Sequence, residues 1–532
     1  MSSAIGFSHS SLGYFTISHV PGLEQNIGAG GYLPSTSGSH LNEDVLRYIF
    51  SHLTFSYDDF SRENVNTHDD KLLITVRYAS QVCSYWRSIL LSYPVVWANT
   101  INFNYLQQGS DEWRNEILRR TGASLISVIY CGTNPSMTKS ATSFLMSLLD
   151  VHWERIRRIE VTIPVDNTLC RDKRWLSIHR KSPNLESFCV TFPSGCQYLN
   201  GEERPLFNGS APLLTRVIIQ DIDDFAPHSF RRIEHLHLLY WTRVDMHLIT
   251  GLKELLALRT LEINHPSTRE WEEHREDVWE TVRLPALETL ILNIGMNGFS
   301  FLIYPLAPRH GFILNMKAFS GGIALSQQLS SNYQRVLDNL LKRSMVGSEL
   351  NCTISGEEFQ ISNSLQENNR ETLSWVKFEL GPLGGDWDTI CHMLLQAATS
   401  TFRKATTLKL KISSFNYTNS PGDQLWTLFS TLLASITKIH LDSTTLRFLH
   451  DLHMHAPDGV LLMPLLKIIS FERPDYYEVP GLVVEFITHR RKISPVHIAP
   501  FSLLESTPQK EGFLFLNGIG DDHMVWSELS PI

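Results

Sequence analysis

The strongest candidates for chemistry in this 532-residue sequence are four histidines and an aspartate near its C-terminal end. His440, His450, His453 and His455 lie beside Asp451, and imidazole and carboxylate groups bind several divalent metal ions. No second cluster of comparable residues accompanies them in the sequence, so a solvated helix end and loop is favoured. We therefore expect no metal site here and no cofactor.

Other polar motifs each lack an essential residue. The segment 381–388, Gly-Pro-Leu-Gly-Gly-Asp-Trp-Asp, lacks the lysine of a phosphate-binding loop and indicates a turn. Asp221, Asp223 and Asp224 lack the glycine and the distal glutamate of a calcium loop, and we expect them on a polar rim. The sequence contains no nucleophile elbow, zinc-protease motif or kinase catalytic set. It therefore predicts a protein that is not an enzyme.

Composition and charge narrow the class further. The 55 acidic residues outnumber the 46 basic ones, which disfavours a nucleic-acid partner because phosphate backbones select for basic surfaces. The seven cysteines are odd in number and lack C-x-x-C spacing, which predicts reduced thiols. There is no basic signal-peptide start before Glu24 and no run of about 18 apolar residues, so we expect no membrane partner. A cytoplasmic or nuclear protein is the expectation.

The Gly- and Ser-rich stretch 1–40 predicts a flexible leader. Ordered structure is predicted to begin near residue 41. The period of an amphipathic helix then appears at Leu41, Val45, Leu46, Ile49, Phe50 and Leu53. Asn42 can cap this helix, and Glu43 and Asp44 suit the positive end of its dipole. The polar stretch 54–71 predicts a solvated loop.

A second helix is predicted from Val76 to Leu90, with Val82, Cys83 and Trp86 on its apolar face. Pro94 forbids its continuation, and Trp97 ends a short apolar turn. Two such helices in about fifty residues cannot bury a core alone, because so small a unit leaves too much apolar surface in water. They need a partner, either in this chain or outside it.

These segments resemble an F-box. The resemblance is carried by LNEDVLRYIFSHL at 41–53, ASQVCSYWR at 79–87 and PVVW at 94–97. It departs from the family at Asn42, where proline is usual, and in the length of the loop 54–71. The resemblance implies that the helices dock on the Skp adaptor of a cullin-based ubiquitin ligase, through Leu41, Val45, Leu46, Ile49, Phe50, Leu53, Val82, Cys83, Trp86 and Trp97. The alternative is that these apolar faces pack within this chain.

From residue 150 onward a triplet of apolar residues recurs. The second apolar residue stands three positions after the first, and the third stands two positions after the second. Triplets begin at Ile156, Leu185, Leu214, Ile233, Leu258, Leu287, Leu373, Ala405, Ile436 and Leu466, and proline stands two residues before the first position at Pro183, Pro212, Pro285 and Pro464. The second and third residues face the same side of a strand, while the first fills the turn leading in. The pattern predicts one continuous sheet with strands near 159–161, 188–190, 217–219, 236–238, 261–263 and 290–292. Returning helices are expected within 144–150, 269–282 and 425–434.

This array resembles the irregular leucine-rich repeats attached to many fungal F-box proteins. The implied fold class is α/β, with an N-terminal all-helical F-box followed by a curved leucine-rich repeat-like solenoid. The expected units are a leader at 1–40, the F-box at 41–100, a helical linker at 101–149, the array at 150–475, and a C-terminal cap and tail at 476–532. An α/β body that is not a solenoid remains the alternative.

Polar residues that alternate with the buried positions would face the concave surface of the array. They are Arg216, His235, His237, Glu262, Asn264, Asn293, Lys409 and Lys411. Solenoids commonly bind partners on that surface, and the loops at 221–228 and 241–245 would extend it. An ordinary solvated face is the alternative.

The resemblance as a whole implies a substrate-recognition adaptor. Its partners would be a Skp-type adaptor, through it a cullin, and a protein target that the sequence does not identify. A repeat scaffold that binds proteins without ubiquitin transfer is the alternative function. A hydrolase is supported by nothing except the length of the chain.

Overall fold

The fold is described by a computed structural model for most of the chain. The described residues are 41–54, 72–130, 137–163, 172–192, 205–220, 230–239, 246–265, 281–295, 306–320, 327–344, 347–355, 358–367, 370–380, 387–413, 422–454, 460–471, 479–493, 502–507 and 510–515. Across these ranges no helix is both long enough and apolar enough to cross a membrane. The predicted leader at 1–40 and residues 55–71 of the predicted loop lie outside the described residues.

Four helices make up the first part of the described chain. They are α1 (Glu43–Thr54), α2 (Leu72–Val82), α3 (Ser84–Leu91) and α4 (Pro94–Ala98). The backbone N–H of Asp44 donates to Asn42 Oδ1 at 2.8 Å, so the predicted cap of α1 is confirmed. Pro94 occupies the first turn of α4, where its missing N–H leaves no donor unsatisfied.

The prediction of a single second helix is wrong, because the helix is interrupted at Cys83, which separates α2 from α3. The backbone of Cys83 is extended, and its Sγ accepts a hydrogen bond from the N–H of Trp86 at 3.4 Å. Across the break, Arg87 Nε donates to the carbonyl of Ser80 at 2.9 Å. Both new helix ends thus gain a side-chain partner, which the apolar period alone did not reveal.

The rest of the described chain is mixed α/β. Its strands are β1 (Ile101–Asn102), β2 (Ile126–Tyr130), β3 (Ile156–Thr162), β4 (Ser187–Thr191), β5 (Arg216–Gln220), β6 (His235–Leu239), β7 (Thr260–His265), β8 (Val282–Leu284), β9 (Thr289–Gly295), β10 (Leu306–Pro308), β11 (Ile313–Ser320), β12 (Glu349–Ile354), β13 (Glu358–Glu367), β14 (Arg370–Leu380), β15 (Thr407–Ile412), β16 (Lys438–Leu441), β17 (Ile468–Phe471), β18 (Ser502–Thr507) and β19 (Lys510–Phe515). Its helices are α5 (Glu112–Arg120), α6 (Lys139–His152), α7 (Met246–Lys253), α8 (Gln327–Ser344), α9 (Trp387–Phe402), α10 (Gly422–Leu432), α11 (Ser443–Met454) and α12 (Val479–Ile493). Short 3-10 helices span Trp153–Arg155, Lys173–His179 and Leu206–Gly209.

Seventeen of the strands form one large, mostly parallel sheet. Its first part follows the chain, from β1 through β7 to β9 and β11, each strand parallel to the one before. The predicted strands near 159–161 through 290–292 are β3 to β7 and β9, so their place in one continuous sheet is confirmed. β8 and β10 pair separately.

The recurring apolar triplets form the buried side of this sheet. All members of the six triplets from Ile156 to Leu292 are at most 1 % exposed. Alternation along a strand turns every second side chain the same way, so the triplets stack from strand to strand. Loop residues just before the strands add a ladder of charges, in which Arg259 lies 3.4 Å from Glu234 and 3.9 Å from Glu288.

The sheet departs from chain order after β11. The chain passes through α8 and enters β12 three positions further along the sheet, and β13 and β14 fill the space between them. β13 is antiparallel to both neighbours, and β12 then pairs with β15, after which β16 to β18 continue in parallel and β19 closes antiparallel. β11, α8, β12 and β13 lie in the interval between the triplets at Leu287 and Leu373, and β14 carries the Leu373 triplet.

Two glycines explain why the triplet pattern is interrupted there. In the strand register, Leu314 pairs with Leu290 and Leu350 pairs with Leu408, and both partners are the second members of their triplets. The first member of each new triplet, three residues earlier, is therefore Gly311 or Gly347. Gly311 has φ +79°, a conformation that favours glycine. A Cβ on Gly347 would lie 2.5 Å from Oδ1 of the buried Asn363 on β13.

Three segments differ from the sequence expectations. β1 and β2 join the sheet within 101–149, where a helical linker was predicted, because Ile126, Val128 and Tyr130 are buried against β3. β18 and β19 extend the sheet within the predicted cap and tail. α6 and α10 match predicted helices. Of the helix predicted at 269–282, residues 269–280 lie outside the described residues, and Val282 begins β8 instead.

Candidate functional site

The N-terminal helices expose a row of apolar side chains. Leu41, just before α1, and Val45, Ile49 and Leu53 on α1 recur every four residues and are 38–50 % exposed. On α2, Tyr78 and Val82 are likewise four residues apart and are 65 % and 62 % exposed. We call these six residues the apolar rows. Isolated exposed apolar residues are ordinary, but such regular rows on adjacent helices indicate an interaction surface.

Three of the residues predicted to meet the adaptor are instead internal. Leu46, Phe50 and Trp97 are at most 2 % exposed and belong to the core of this chain. Trp97 Nε1 donates to the carbonyl of Leu90 at 2.8 Å, and the Arg120 guanidinium lies 4.5 Å from the Trp97 ring centroid. These side chains cannot reach a partner in this arrangement, since neighbouring helices already cover them.

Trp86 and Cys83 lie at the edge of the apolar rows. Trp86 is partly buried, and its ring meets that of Phe50 edge to face, with centroids 5.3 Å apart. Cys83 is exposed beside Val82 and caps α3. The structure therefore divides the predicted adaptor surface into an inner set that holds α1, α3 and α4 together and an outer set that is open to solvent.

The residues predicted to bind a target all lie on the sheet, on the side opposite the buried triplets. Arg216 is on β5, and His235 and His237 are on β6. Glu262 and Asn264 follow on β7, Asn293 on β9, and Lys409 and Lys411 on β15. The register places Arg216 opposite His235, His237 opposite Glu262, and Asn264 opposite Asn293. We call this side the polar face. The loops predicted to extend it, 221–228 and 241–245, lie outside the described residues.

Two of those target-binding residues are poorly accessible. His237 is 7 % exposed and Glu262 is 1 % exposed, with His237 Nδ1 at 2.8 Å from Glu262 Oε2. Asn264 Nδ2 donates to Glu262 Oε1 at 2.9 Å. The group therefore fixes neighbouring strands to one another. His237 and Glu262 lie on the predicted side of the sheet, but their side chains are buried against each other, and the prediction that these residues bind a target stays a prediction.

The polar face carries further charged residues that the sequence reading did not select. Arg216 Nη1 lies 3.5 Å from Glu160 Oε1 on β3. Further along, Lys377 Nζ lies 3.1 Å from both Glu358 and Glu379, and Lys317 Nζ lies 2.9 Å from Glu379. The sequence did contain a signal for these residues, because Glu160 and Lys377 each stand between the second and third members of an apolar triplet and so face the polar side of the sheet.

The histidines near the C-terminal end do not gather into one group. His440 is on β16, whereas His450 and His453 on α11 face His489 on α12, with ring centroids 6.4 and 5.1 Å from that of His489. Burial, together with the nearby charges of Arg490, His489 and His450, lowers the pKa of His453 to about 3. Among the described residues, no group of three or more histidine, cysteine or acidic side chains is arranged to hold a metal ion. His455 lies outside them.

Comparison with known proteins adds no further constraint on this site. No protein-family model matches the chain. No curated protein matches it either. The interpretation of the apolar rows and the polar face therefore rests on their own geometry.

Proposed function

We propose that this chain is a substrate-recognition adaptor of a Skp, cullin and F-box ubiquitin ligase. The helices α1 to α4 form the F-box, whose apolar rows bind the Skp-type adaptor. The large sheet forms a curved leucine-rich repeat-like solenoid, whose polar face binds a protein target. The chain performs no chemistry, and the catalytic groups belong to its partners.

The observation that carries this proposal is the exposure of the apolar rows. Fully burying an exposed valine, leucine or isoleucine side chain contributes roughly 1.5–3 kcal/mol. The side chains of the rows are already partly covered, so each would contribute a fraction of that value, and the six together favour association. The same helices have a well-packed core in Leu46, Phe50 and Trp97, which means that the rows are not needed to hold the module together. A surface of this kind suits a helical partner that supplies apolar side chains in return.

The role of the sheet is to present the target. The polar face carries ion pairs that fix its side chains, such as Arg216 with Glu160 and Lys377 with Glu358, and a fixed surface loses little entropy on binding. Lys411, which is exposed on β15, is the kind of residue that is open to a partner. Target recognition would then depend on the open residues of the face rather than on His237 and Glu262.

The test is a pull-down of purified Skp-type adaptor by the full chain and by the double variant Ile49→Ala, Val82→Ala. Loss of the two side chains should weaken adaptor binding by about thirtyfold, equivalent to about 2 kcal/mol. The matched control is Val151→Ala, Leu256→Ala, which removes two side chains that are 68 % and 61 % exposed elsewhere on the chain. The melting temperature of both variants should equal that of the wild type. Undiminished adaptor binding by the first variant would refute the assignment of the rows.

A second function, a protein-binding scaffold without ubiquitin transfer, is favoured by one observation. Leu46, Phe50 and Trp97 pack internally, as expected if the N-terminal helices belong to the body of the chain. This alternative expects that the wild-type chain binds no Skp-type adaptor and still retains a protein target from native extract.

A further inference from the structure

Three apolar side chains interrupt the polar face where β9, β11 and β14 lie side by side. Ile291, Ile313 and Trp375 are partly exposed, and each is followed by a residue that is buried on the other side of the sheet. The register pairs Asn315 with Ile291 on one side and with Trp375 on the other. Ile313 precedes Asn315 by two residues on β11, so it faces the same way. We call Ile291, Ile313 and Trp375 the apolar triangle.

Trp375 is the largest side chain of the apolar triangle. In the described part of the chain, its indole makes no hydrogen bond and no ring contact. The residues that pair with it on the adjacent strands are Asn315 and Ser362, whose side chains are smaller, so the indole extends beyond them. Partly exposed tryptophans surrounded by polar residues contribute much of the binding energy at protein interfaces. The apolar triangle therefore has the character of an interface centre.

Ion pairs border the apolar triangle on one side. Lys317 and Lys377 are the next residues on this face of β11 and β14. Both ammonium groups pair with Glu379, at 2.9 and 3.1 Å, and Lys377 also pairs with Glu358 at 3.1 Å. These two lysines and two glutamates balance one another. The border therefore favours an uncharged side chain on the triangle, since a charged one would lose water without gaining a partner.

A cationic region lies further along the same face. It contains Lys409 and Lys411 on β15 and Lys438 on β16, each of which is followed by a buried residue. Glu349 is the one carboxylate on this face of β12, β15 and β16. Among the described residues, Lys411 and Lys438 form no ion pair. This local excess of positive charge attracts a carboxylate.

We propose that the polar face binds an extended segment of the target that places an apolar side chain on the apolar triangle and an acidic side chain beside Lys411. This inference rests on the proposed function, in which the polar face binds the target. β13 and β12 lie between β14 and β15, so about 14 Å separates the two sites along the sheet. An extended chain rises about 3.3 Å per residue, so the two side chains of the target are about four or five residues apart.

The test begins with a phage-displayed library of random decapeptides that is selected on the full-length chain. The selected peptides should share an apolar residue and an acidic residue about four or five positions apart. Fluorescence anisotropy of a labelled selected peptide then measures affinity. Trp375→Ala should weaken binding at least about tenfold, because the tryptophan lies at the centre of the contact. The matched control is Tyr48→Ala on α1, which removes an aromatic side chain that is 66 % exposed and should leave the affinity unchanged.

The acidic position is tested with a second pair of variants. Lys411→Gln should weaken binding of the selected peptide by about two- to fivefold, as expected for an exposed ion pair. A version of the peptide with glutamine at the acidic position should bind the wild type and Lys411→Gln equally. Lys467→Gln, an exposed site in the loop just before β17, makes the same change in net charge and should retain wild-type affinity.

Three results would overturn the proposal. The first is that the library yields no binding peptide or yields peptides without the expected spacing. The second is wild-type affinity of the selected peptide for Trp375→Ala. The third is an equal loss in Lys411→Gln and Lys467→Gln, which would assign the acidic preference to the overall charge of the chain.

Melting temperatures establish that the variants are folded. If Trp375→Ala melts earlier than the wild type, Ile291→Ser becomes the deciding variant and should weaken peptide binding in the same direction. Peptide binding is measured without a Skp-type adaptor. A failure here therefore leaves the adaptor pull-down unaffected, and a failed adaptor pull-down leaves the peptide result unaffected.

Discussion

Replacing Arg114 with methionine should destabilise the protein, because this arginine is fully buried at the junction of the loop before α5, α5 itself and α6. Its guanidinium donates to the carbonyls of Leu106 and Gln108 at 2.8 and 2.7 Å. Nε donates to Asp111 Oδ1 at 2.8 Å, and the Ser140 hydroxyl on α6 donates to the same oxygen at 2.9 Å. One side chain thus joins the loop before α5, α5 itself and α6.

The expected magnitude follows from these contacts. Methionine keeps the apolar stem of the arginine but removes all of its donors, which leaves the two carbonyls without this partner. A buried polar group that loses its hydrogen bond costs about 1–3 kcal/mol. Because Asp111 is about half exposed, its carboxylate can return to water and limits the loss. We expect a decrease of about 3 kcal/mol in the free energy of unfolding.

Urea unfolding followed by tryptophan fluorescence measures this decrease from the midpoint and the slope of the transition. The matched control is Arg119→Met on the same helix. Arg119 is 71 % exposed and makes two 2.7 Å hydrogen bonds to Glu116, so its loss should leave the midpoint unchanged within error. If the two variants unfold at the same urea concentration, the buried network does not stabilise the junction and the reasoning fails.

The remaining predictions concern pH, packing and thiol reactivity. The pKa of His453, about 3, is below the value of about 6.5 of an unfolded chain, so the free energy of unfolding should fall by at most about 2 kcal/mol from about pH 7.5 to about pH 5. His453→Gln should reduce that dependence, and a variant with an unchanged dependence would exclude His453 as its source. Gly347→Ala should cost about 1–3 kcal/mol in urea unfolding, since its Cβ would lie 2.5 Å from Asn363 Oδ1, and Asn363→Ala should offset most of it in the double variant. Simple additivity of the two changes would contradict that contact. Iodoacetamide should modify the exposed Cys83 in the native chain, whereas Cys352, whose pKa burial raises to about 12, should react only after unfolding, as mass spectrometry of the peptides would reveal.

The sequence by itself determined the repeated strands and their buried side. The triplets beginning at Ile156 and Leu185 specify which side chains face the core, because alternation along a strand is a local property of the backbone. The cap at Asn42 was equally local, since it depends on a side chain and an N–H two residues apart. Resemblance to a family added an expectation of function that the fold leaves as a proposal.

Only the tertiary structure decided which of several apolar or polar residues are covered. Phe50 and Ile49 are neighbours in the same helical period, yet Phe50 is buried and Ile49 is exposed, because α3 and α4 cover one side of α1. The burial of Glu262 likewise required His237 on an adjacent strand. The position of β12 three places away from β11 depends on pairings between residues far apart in the chain, and a local period carries no information about such pairings.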